Sequence, residues 1–356
     1  MRTPWRRSTS TPRKIVDPLV ELLEANGVPA SFFLSASKIK LGEKLGSGAF
    51  GTIHSSAVSG WENSAVVAKV IKPQKLKPAD AALLRNEVII WRQMEHDNIV
   101  TFLGMSAEPH EVRLVCERCN GGTLEDALER ATSRREPRLP MHAVTGQMLQ
   151  IARALEHVHC SGFMHRDLKP ANVLVEGSTL KLSDFGLACV KPKVKSNLTA
   201  ETGSYRWMAP EVMRHEPYDE KCDMYSFGLI CWSMLTRSLP FPSLSPIDAA
   251  FAVADQAKRP RVPANCSADL TALIERCWAP ESEARPSSGE VVGPLTAMAH
   301  VAPNPNEVIG AASLFAPALK FACSPPGALR RAFGGLLSDT EILTISQPVV
   351  SLSAQR

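Results

Sequence analysis

The amino-acid sequence predicts an α+β fold, and three patterns along the chain carry this prediction. A glycine-rich stretch, Gly46 to Gly51, is followed at strand distance by an apolar, β-branched run over residues 65–71, which predicts a strand. Apolar residues between 83 and 94 recur at helical spacing and predict a helix. Two polar loops, 165–172 and 184–186, each lie next to apolar strand patterns. The chain therefore combines strands and helices, with its most polar motifs on connecting loops.

The two polar loops combine residue types that suit phosphoryl transfer. Residues 165–172 read HRDLKPAN, and residues 184–186 read DFG. Phosphoryl transfer asks a protein for positioning and for compensation of the charge on phosphate oxygens, and for little covalent chemistry. An aspartate that accepts a hydroxyl proton, a lysine beside it, and an asparagine and an aspartate that hold magnesium meet those needs. Because the whole H-R-D-L-x-x-x-N string is present, chance is a poor explanation of the match.

These motifs resemble the signature of eukaryotic protein kinases, and further motifs of that family occur in the expected order. Residues 202–211, which read TGSYRWMAPE, are similar to the tyrosine-kinase-like group of serine/threonine kinases, Raf-like and mixed-lineage-like members especially. The resemblance covers residues 38–299 and implies a two-lobed protein-kinase fold. The small lobe, 38–118, would hold an antiparallel sheet with one main helix, and the large lobe, 119–299, would be mainly helical.

Lys69 stands in the middle of the apolar run 65–71. A lysine is costly to bury unless it pairs with an anion or a carboxylate. The alternative is a surface lysine that buries only its stem. The resemblance favours the first interpretation, in which Lys69 binds the α- and β-phosphates of ATP and pairs with Glu87 of the following helix. For Glu87 the alternative is an ordinary solvated glutamate on the helix surface.

Residues 114–124 are similar to the connection between kinase lobes. The resemblance implies that Cys116 is the gatekeeper, that the backbone of Glu117 and Cys119 binds the adenine edge, and that Asp126 faces the ribose. The Cys116-x-x-Cys119 spacing also occurs in metal sites, but no second pair at ligand spacing accompanies it, which favours a hinge strand. The ATP-binding residues implied are Gly46, Ser47, Gly48, Ala49, Phe50, Gly51, Ile53, Val67, Lys69, Cys116, Glu117, Cys119, Asp126 and Leu174.

The resemblance also assigns the catalytic and metal-binding roles. Asp167 would orient the substrate hydroxyl and accept its proton, and Lys169 would steady the γ-phosphate. Asn172 and Asp184 would ligate Mg²⁺. His165 and Phe185 are interpreted as packing residues that align the lobes, in a stacked column with Trp91 and Phe102. Arg285 would form a structural ion pair with Glu211.

The activation segment, 184–211, bears on the substrate and on regulation. The Lys169-Pro170-Ala171-Asn172 string and Ser204 are of the serine/threonine type, so we expect protein substrates phosphorylated on serine or threonine, with dual specificity as the alternative. Arg166 precedes the candidate base, and an arginine there usually needs an anion to hold the segment. The hypothesis is that an upstream kinase phosphorylates Thr199 or Thr202. The alternative is that these residues, and Ser196, are ordinary solvated hydroxyls.

Two other classes of protein share parts of this signature. A pseudokinase scaffold would bind ATP and partners without phosphoryl transfer, but such proteins typically lose a lysine, an aspartate or a glycine that this chain retains. A small-molecule kinase is disfavoured by the complete Ala209-Pro210-Glu211 segment and the long activation loop. The sequence therefore favours a protein kinase of a signalling cascade.

Composition and charge set the remaining expectations. The formal net charge of +4 is too small to indicate nucleic-acid binding, and no apolar run reaches the length of a membrane span. Nine cysteines without a framework favour a reducing compartment, so we expect a cytoplasmic protein. The nucleus is the alternative, because basic residues dominate the first stretch. We expect 1–37 to form a basic disordered arm plus a short helix near Asp17 to Gly27, and 300–356 to form a mostly disordered tail rich in Ala, Pro and Gly.

Overall fold

A computed structural model of the chain describes residues 19–21, 23–48, 51–61, 64–72, 78–108, 110–192 and 205–300. Several predictions fall outside these ranges. They concern the tip of the glycine-rich loop at Ala49 and Phe50, the basic arm, and the tail after residue 300. They also concern the hydroxyl residues of the activation segment, which are Ser196, Thr199, Thr202 and Ser204.

The amino-terminal half of the described chain is built on one five-stranded antiparallel sheet. Its spatial order is β1-β2-β3-β5-β4. The first two strands pair around the glycine-rich turn, where Gly48 lies opposite Gly51. Burial alternates along the first residues of β3 and β5, as expected for a strand with one buried face, whereas the first five residues of β4 are all buried. The five strands are β1 (Ile39–Gly48), β2 (Gly51–Val58), β3 (Val66–Ile71), β4 (Phe102–Glu108) and β5 (Glu111–Glu117).

One main helix, α1 (Pro78–Trp91), accompanies this sheet and confirms the helix expected from spacing. Its Val88, Ile90 and Trp91 belong to the hydrophobic core together with Met105 and Leu114 of the sheet. Burial of this apolar face, at roughly 25 cal/mol per Å², fixes the helix against the strands. Glu87 shares the buried side of the helix, with 3% of its surface exposed.

The second half is mainly helical. Its central helix, α5 (Lys221–Thr236), is buried along nearly its whole length. A helix that is apolar all round must lie inside a protein, and here α7 and the long α3 pack against it. Of the helices in the described ranges, none is both long and apolar enough to cross a membrane. The helices are α2 (Leu124–Ser133), α3 (Met141–Cys160), α4 (Pro210–Met213), α5 (Lys221–Thr236), α6 (Pro246–Ala254), α7 (Ala268–Cys277) and α8 (Ser288–Ala299).

Four short strands of the second half flank the two loops that carry the polar motifs. The strands β6 and β9 pair with each other, and β7 and β8 form an antiparallel hairpin. The polar motif of 165–172 lies between β6 and β7, and the motif of 184–186 lies between β8 and β9. The two motifs therefore emerge from neighbouring strand ends. These strands are β6 (Phe163–Met164), β7 (Val173–Glu176), β8 (Thr179–Leu182) and β9 (Cys189–Val190).

The segment before the sheet packs on the first half of the molecule. Leu19 and Leu23 of a short helix are buried in the core. Further along, the Leu34 N–H donates to the Met105 carbonyl at 2.7 Å, and the Phe32 ring stacks on Phe102 with 5.7 Å between ring centroids. Gly104, whose φ is +151°, lets the backbone of β4 approach this segment, since a Cβ there would lie 2.8 Å from the Phe32 carbonyl oxygen.

We expect Phe32→Ala to lower the free energy of unfolding by about 1–3 kcal/mol, because it removes a half-buried ring and its stacking on Phe102. Chemical denaturation measures this change. The matched control is Phe251→Ala, since the Phe251 ring is 57% exposed and its loss should change the free energy by less than about 0.5 kcal/mol. Equal effects of the two substitutions would show that the segment contributes no packing energy.

Candidate active site

The Lys69 ammonium forms an ion pair with Glu87, as the sequence predicted. Lys69 Nζ donates to Glu87 Oε1 at 2.7 Å and lies 3.8 Å from Asp184 Oδ1. Burial disfavours the charged lysine, but the Glu87 and Asp184 carboxylates outweigh it and raise the pKa of Lys69. The lysine thus stays cationic in a nearly dry position, where it compensates negative charge far better than it would in water.

Glu87 is the pH-sensitive member of this pair. Burial, which is the largest effect, raises the pKa of its carboxyl above the usual value, and the Lys69 ammonium opposes the rise. Acidification protonates Glu87, removes the charge that holds Lys69, and weakens the hold on an anion. Because the pKa is raised, this loss begins at a higher pH than for an exposed carboxylate.

We therefore expect KM for ATP to rise as the pH falls below neutral, while the Glu87→Gln variant shows a raised KM with a flatter pH profile. Steady-state kinetics at fixed ionic strength measures both profiles. A matched control is Glu95→Gln, which changes an exposed glutamate near the end of the same helix. A Glu87→Gln profile parallel to that of the wild type would contradict the role assigned to this carboxylate.

Asp167 is held by the two residues that the sequence placed beside it. Its Oδ2 accepts from Lys169 Nζ at 2.6 Å and from Asn172 Nδ2 at 2.9 Å. Both contacts fall on the same oxygen, so Oδ1 can accept the proton of a substrate hydroxyl. The carboxylate is 11% exposed on its side chain, which leaves it accessible but fixed. Lys169 and Asn172 therefore orient the candidate base.

The loop that carries Asp167 is held by hydrogen bonds to Asp223, which lies in the first turn of α5. Asp223 Oδ2 accepts from the His165 N–H and Oδ1 accepts from the Arg166 N–H, both at 2.8 Å. These bonds hold Arg166 at a φ of +66°, a conformation that a bulky residue adopts only when its surroundings impose it. Burial alone would raise the pKa of the Asp223 carboxyl. The hydrogen bond between its Oδ2 and His159 Nε2, at 2.9 Å, is the leading influence that lowers this pKa below its usual value.

Asp184 and Asn172 have the donor atoms that magnesium needs. The side-chain amide nitrogen of Asn172, Nδ2, donates to Asp167. The side-chain oxygen Oδ1 is therefore the atom left to bind a cation. Burial would raise the pKa of Asp184, but Lys69 and then His165 lower it below its usual value, so its carboxylate is ionised. Mg²⁺ binds hard oxygen ligands and is usually held by one or two protein groups together with substrate phosphates. The two residues fit that pattern.

The two loops are joined through Ser183, which brings the candidate metal ligands together. Ser183 directly precedes Asp184 in the chain. Its N–H and its hydroxyl both donate to the backbone carbonyl oxygen of Asn172 at 2.9 Å. Asp184 has a φ of +63°, another conformation imposed by its surroundings. A Cβ at Gly186 would come 3.2 Å from Asp184 Oδ1, so the glycine gives the carboxylate room. Asp184 thus lies 3.8 Å from Lys69 Nζ and directly follows a residue that is hydrogen-bonded to Asn172.

The strands that flank the glycine-rich turn lie in the same sheet as the strand that carries Lys69. Ile53 of β2 pairs with Lys69 of β3, and Gly46 of β1 pairs with Ile53. A Cβ at Gly51 would collide with the Val70 carbonyl oxygen, which only glycine avoids. A Cβ at Gly46 would meet no atom within 4 Å, so the space beside this strand is open. Gly46, Ser47, Gly48 and Gly51 lie at the ends of β1 and β2, and their predicted phosphate contacts stay predictions.

The hinge strand is braced by side chains. Glu117 Oε1 accepts from Lys181 Nζ at 2.8 Å, and from the Thr101 N–H at 2.7 Å. The Glu117 side chain therefore fixes the strand, and the predicted adenine contact of its backbone stays a prediction. Burial raises the pKa of the Cys116 thiol and raises that of Cys119 to about 12. Both thiols are therefore uncharged at neutral pH.

The other predicted nucleotide contacts lie around this hinge. Val67 of β3 is opposite Cys116 of β5, and Leu174 of β7 bridges to Thr123. Asp126 Oδ2 accepts from the Thr123 N–H at 2.9 Å and from the Thr123 hydroxyl at 2.7 Å, so it caps the start of α2. The cap uses one carboxylate oxygen and leaves Oδ1 for the ribose, a role that stays a prediction.

Comparison with known proteins identifies this arrangement. The chain matches the family described as protein kinase domain over residues 39–295. The chain belongs to the protein kinase family. It is 35% identical over 267 residues to the serine/threonine-protein kinase STY46 of Arabidopsis thaliana, an alignment that covers 75% of this chain and 45% of the relative.

Two other plant kinases give the same result. The serine/threonine/tyrosine-protein kinase HT1 of Arabidopsis thaliana is 34% identical over 78% of this chain and 70% of its own length. The serine/threonine-protein kinase CTR1 of the same plant is 33% identical over 75% of this chain and 32% of its own length. The chain spans less than half the length of STY46 and of CTR1. The resemblance to the tyrosine-kinase-like group is thereby confirmed.

A column of aromatic rings passes through this kinase domain, as predicted. The centroid of Phe185 lies 5.2 Å from His165 and 6.4 Å from Trp91, and Trp91 lies 5.2 Å from Phe102. Stacked and edge-on rings at these separations attract one another beyond simple burial. His165 is fully buried, and its Nε2 lies 3.0 Å from the Ser183 carbonyl, so its packing role is confirmed. Phe32 extends the column beyond the predicted four rings.

Three features of the structure were missed by sequence reasoning. His159, which binds both Asp223 and the Ser288 hydroxyl, lies in an ordinary helical pattern that carries no signal of its own. Lys181 is a lone lysine on a two-sided strand, and nothing in the sequence pairs it with Glu117. Phe32 lies outside the family match, in a segment without a recognisable motif. These contacts depend on tertiary packing, which spacing along the chain does not reveal.

Proposed function

We propose that this protein is a serine/threonine protein kinase that transfers the γ-phosphate of ATP to protein hydroxyls. The observation that carries the proposal is the meeting of Lys69, Asp167, Asn172 and Asp184 in one place. The names of the relatives STY46 and CTR1 support the choice of serine and threonine. So does the Lys169-Pro170-Ala171-Asn172 string of the catalytic loop. The predicted cytoplasmic location stays a prediction.

The chain's own residues perform distinct parts of the reaction. Lys69, braced by Glu87, binds the α- and β-phosphates and compensates their charge. Asp167 accepts the hydroxyl proton through Oδ1 while Lys169 and Asn172 hold its other oxygen. Lys169 also lies where it can steady the γ-phosphate. Because these groups are fixed before a substrate arrives, little reorganisation is needed in the transition state.

Asn172 and Asp184 would hold magnesium in this proposal. When bound there, the ion would neutralise charge that develops on the phosphoryl oxygens. The described residues include no cluster of three or more His, Cys, Asp or Glu side chains suited to a metal. In this proposal the cation would be held by one carboxylate, one amide oxygen and the nucleotide, since Mg²⁺ is usually bound by one or two protein groups together with substrate phosphates.

A scaffold that binds nucleotide without phosphoryl transfer is not supported. Such a protein typically lacks one of the charged residues, whereas this site keeps Lys69, Asp167, Asn172 and Asp184. The ion pair of Lys69 with Glu87 is also formed at 2.7 Å, so the lysine is in its working position. All the side chains that the reaction needs are present and close together.

The serine/threonine assignment is tested by phosphoamino-acid analysis. The purified protein is incubated with radiolabelled ATP and magnesium, and the label in its own chain and in a generic protein substrate is identified after hydrolysis. We expect phosphoserine and phosphothreonine. Label found only in phosphotyrosine would overturn the assignment of hydroxyl specificity, even though the kinase fold would stand.

We also propose activation by phosphorylation of Thr199 or Thr202. The support is Arg166, a half-buried cation whose Nε donates to the Leu187 carbonyl at 2.7 Å at the start of the activation segment. A phosphate on the segment would form charge-assisted hydrogen bonds with such a cation. The Thr199→Ala/Thr202→Ala variant should lose most of its activity, with Ser196→Ala as the control. Full activity of the double variant would refute this regulation.

A further inference from the structure

A short stretch of chain in front of the kinase-family match is packed onto the first half of the molecule. We call this stretch, residues 23–34, the leading segment, and the family match begins only at residue 39. Its Leu23 and Val28 are buried in the hydrophobic core, with 0% and 3% of their surface exposed. Phe32 is half-buried against the same core. The leading segment is thus an integral part of this half of the fold.

One end of the leading segment is hydrogen-bonded to the end of α1. Arg92, the residue after the helix, donates through Nη2 to the Asn26 carbonyl oxygen at 3.2 Å. Its own N–H donates to the Val88 carbonyl at 3.1 Å, so its backbone continues the helix. Gly27 turns the chain beside the guanidinium with a φ of +73°, and a Cβ there would lie 3.7 Å from Arg92 Nη2. This contact ties the leading segment to the helix that carries Glu87.

The other end of the leading segment is joined to β4, an edge strand of the sheet. The Leu34 N–H donates to the Met105 carbonyl at 2.7 Å, and Phe33 forms a parallel bridge with the same residue. Gly104 permits this approach, since any side chain there would meet the Phe32 carbonyl oxygen. An edge strand offers unpaired backbone groups, and the leading segment engages one of them. It therefore bridges α1 and the sheet, the two elements that carry the members of the ion pair.

Between these two ends, Phe32 supports the aromatic rings that fix α1 on the sheet. Its ring is nearly parallel to that of Phe102, with an interplanar angle of 6° and 5.7 Å between centroids. Phe102 in turn contacts Trp91, the last residue of α1, with 5.2 Å between centroids. Trp91 lies four residues after Glu87, and residues four apart on a helix share one face. A movement of Trp91 off Phe102 would therefore also move Glu87 and disturb its 2.7 Å ion pair.

We propose that Phe32 is a positioning residue for phosphoryl transfer, and that the leading segment holds α1 in the place where Glu87 reaches Lys69. The inference rests on the proposed kinase function. Phe32 acts through its neighbours Phe102 and Trp91, not on the nucleotide. Without its ring, α1 is held in place in a smaller fraction of molecules, and the apparent affinity for ATP falls in proportion to that fraction. The catalytic unit of this chain thus begins before the family match.

The test compares KM for ATP in four proteins: the wild type, Phe32→Ala, Glu87→Gln and the double variant. We expect Phe32→Ala to raise KM by about threefold to tenfold, the effect of losing one stacked aromatic pair on this equilibrium. In the Glu87→Gln background the same substitution should raise KM by less than about 1.5-fold, because no ion pair remains to be positioned. General damage to the lobe would instead raise KM by the same factor in both backgrounds.

Further variants complete the design. Phe32→Tyr keeps the ring and should keep KM near the wild-type value, and Phe251→Ala, which removes an exposed ring of α6, should leave it unchanged. Phe32→Leu, which keeps apolar volume without a ring, replaces Phe32→Ala if thermal unfolding shows that the alanine variant is not folded. An unchanged KM without the ring, an equal rise in both backgrounds, or no rescue by tyrosine would overturn the inference alone. A folded wild type, phosphorylated on its activation segment, that labels no protein would instead overturn the proposed function, so the two failures are distinguishable.

Discussion

The Asp167→Asn variant is expected to lose phosphoryl transfer by a factor of about 10² to 10⁴ in kcat, the usual contribution of a positioned general base. The amide has nearly the shape of the carboxylate and keeps an oxygen that can accept from Lys169 or Asn172. It cannot take up the hydroxyl proton. The fold should therefore be retained while the chemical step is lost.

Steady-state kinetics on a protein substrate measures the loss, and thermal unfolding checks the fold. Asp97→Asn is the matched control, because Asp97 is an exposed aspartate outside the site and its replacement should leave kcat unchanged. A variant at position 167 that kept near-wild-type kcat would contradict the assignment of Asp167 as the base. An equal loss in the control would point to general damage by the substitution.

The second large effect concerns stability. The Arg285→Leu substitution should lower the free energy of unfolding by about 3–5 kcal/mol, because it leaves the buried Glu211 carboxylate without its partner. The two residues form a bidentate pair at 2.6 and 2.8 Å, with Arg285 fully buried. The guanidinium also donates to the carbonyls of Ala279 and Lys221 and lies over the Tyr225 ring.

Chemical denaturation measures this change, and the chain offers a matched control. Arg214 pairs with Glu216 at 2.7 Å, but both side chains are substantially exposed, so Arg214→Leu should cost less than about 1 kcal/mol. The Glu211→Gln/Arg285→Leu double variant should lose less than the sum of the two single changes, because neither leaves an unpaired charge once the other is made. A loss below about 1 kcal/mol for Arg285→Leu would contradict a structural role for the buried pair.

The fold and the centre of the site were predictable because their signals are contiguous. Residues 165–172 bring the base, its lysine and a metal ligand into one loop, so the spacing alone keeps them together. The helix around Glu87 and the strand around Lys69 were also predictable, because each follows from a pattern of neighbouring residues. The periodicities placed Lys69 on a strand and Glu87 on a helix, and the resemblance to protein kinases predicted the ion pair between them.

The rest depends on packing between segments that are distant in the sequence. His159 and Asp223 meet only because α3 and α5 lie side by side, and Phe32 reaches Phe102 only because the segment before the sheet folds back on it. No periodicity relates such residues, so a single sequence does not reveal their contacts.

The central claim is that Asp184 acts with Asp167, Asn172 and Lys69 on one nucleotide. It is tested most directly by transfer of radiolabelled γ-phosphate to protein, with the wild type and the Asp184→Asn variant assayed in parallel with ATP and magnesium. We predict that the wild type labels protein only when the metal is present, and that the folded variant does not label it. Equal labelling by both proteins, or none by a folded wild type phosphorylated on its activation segment, would contradict the account.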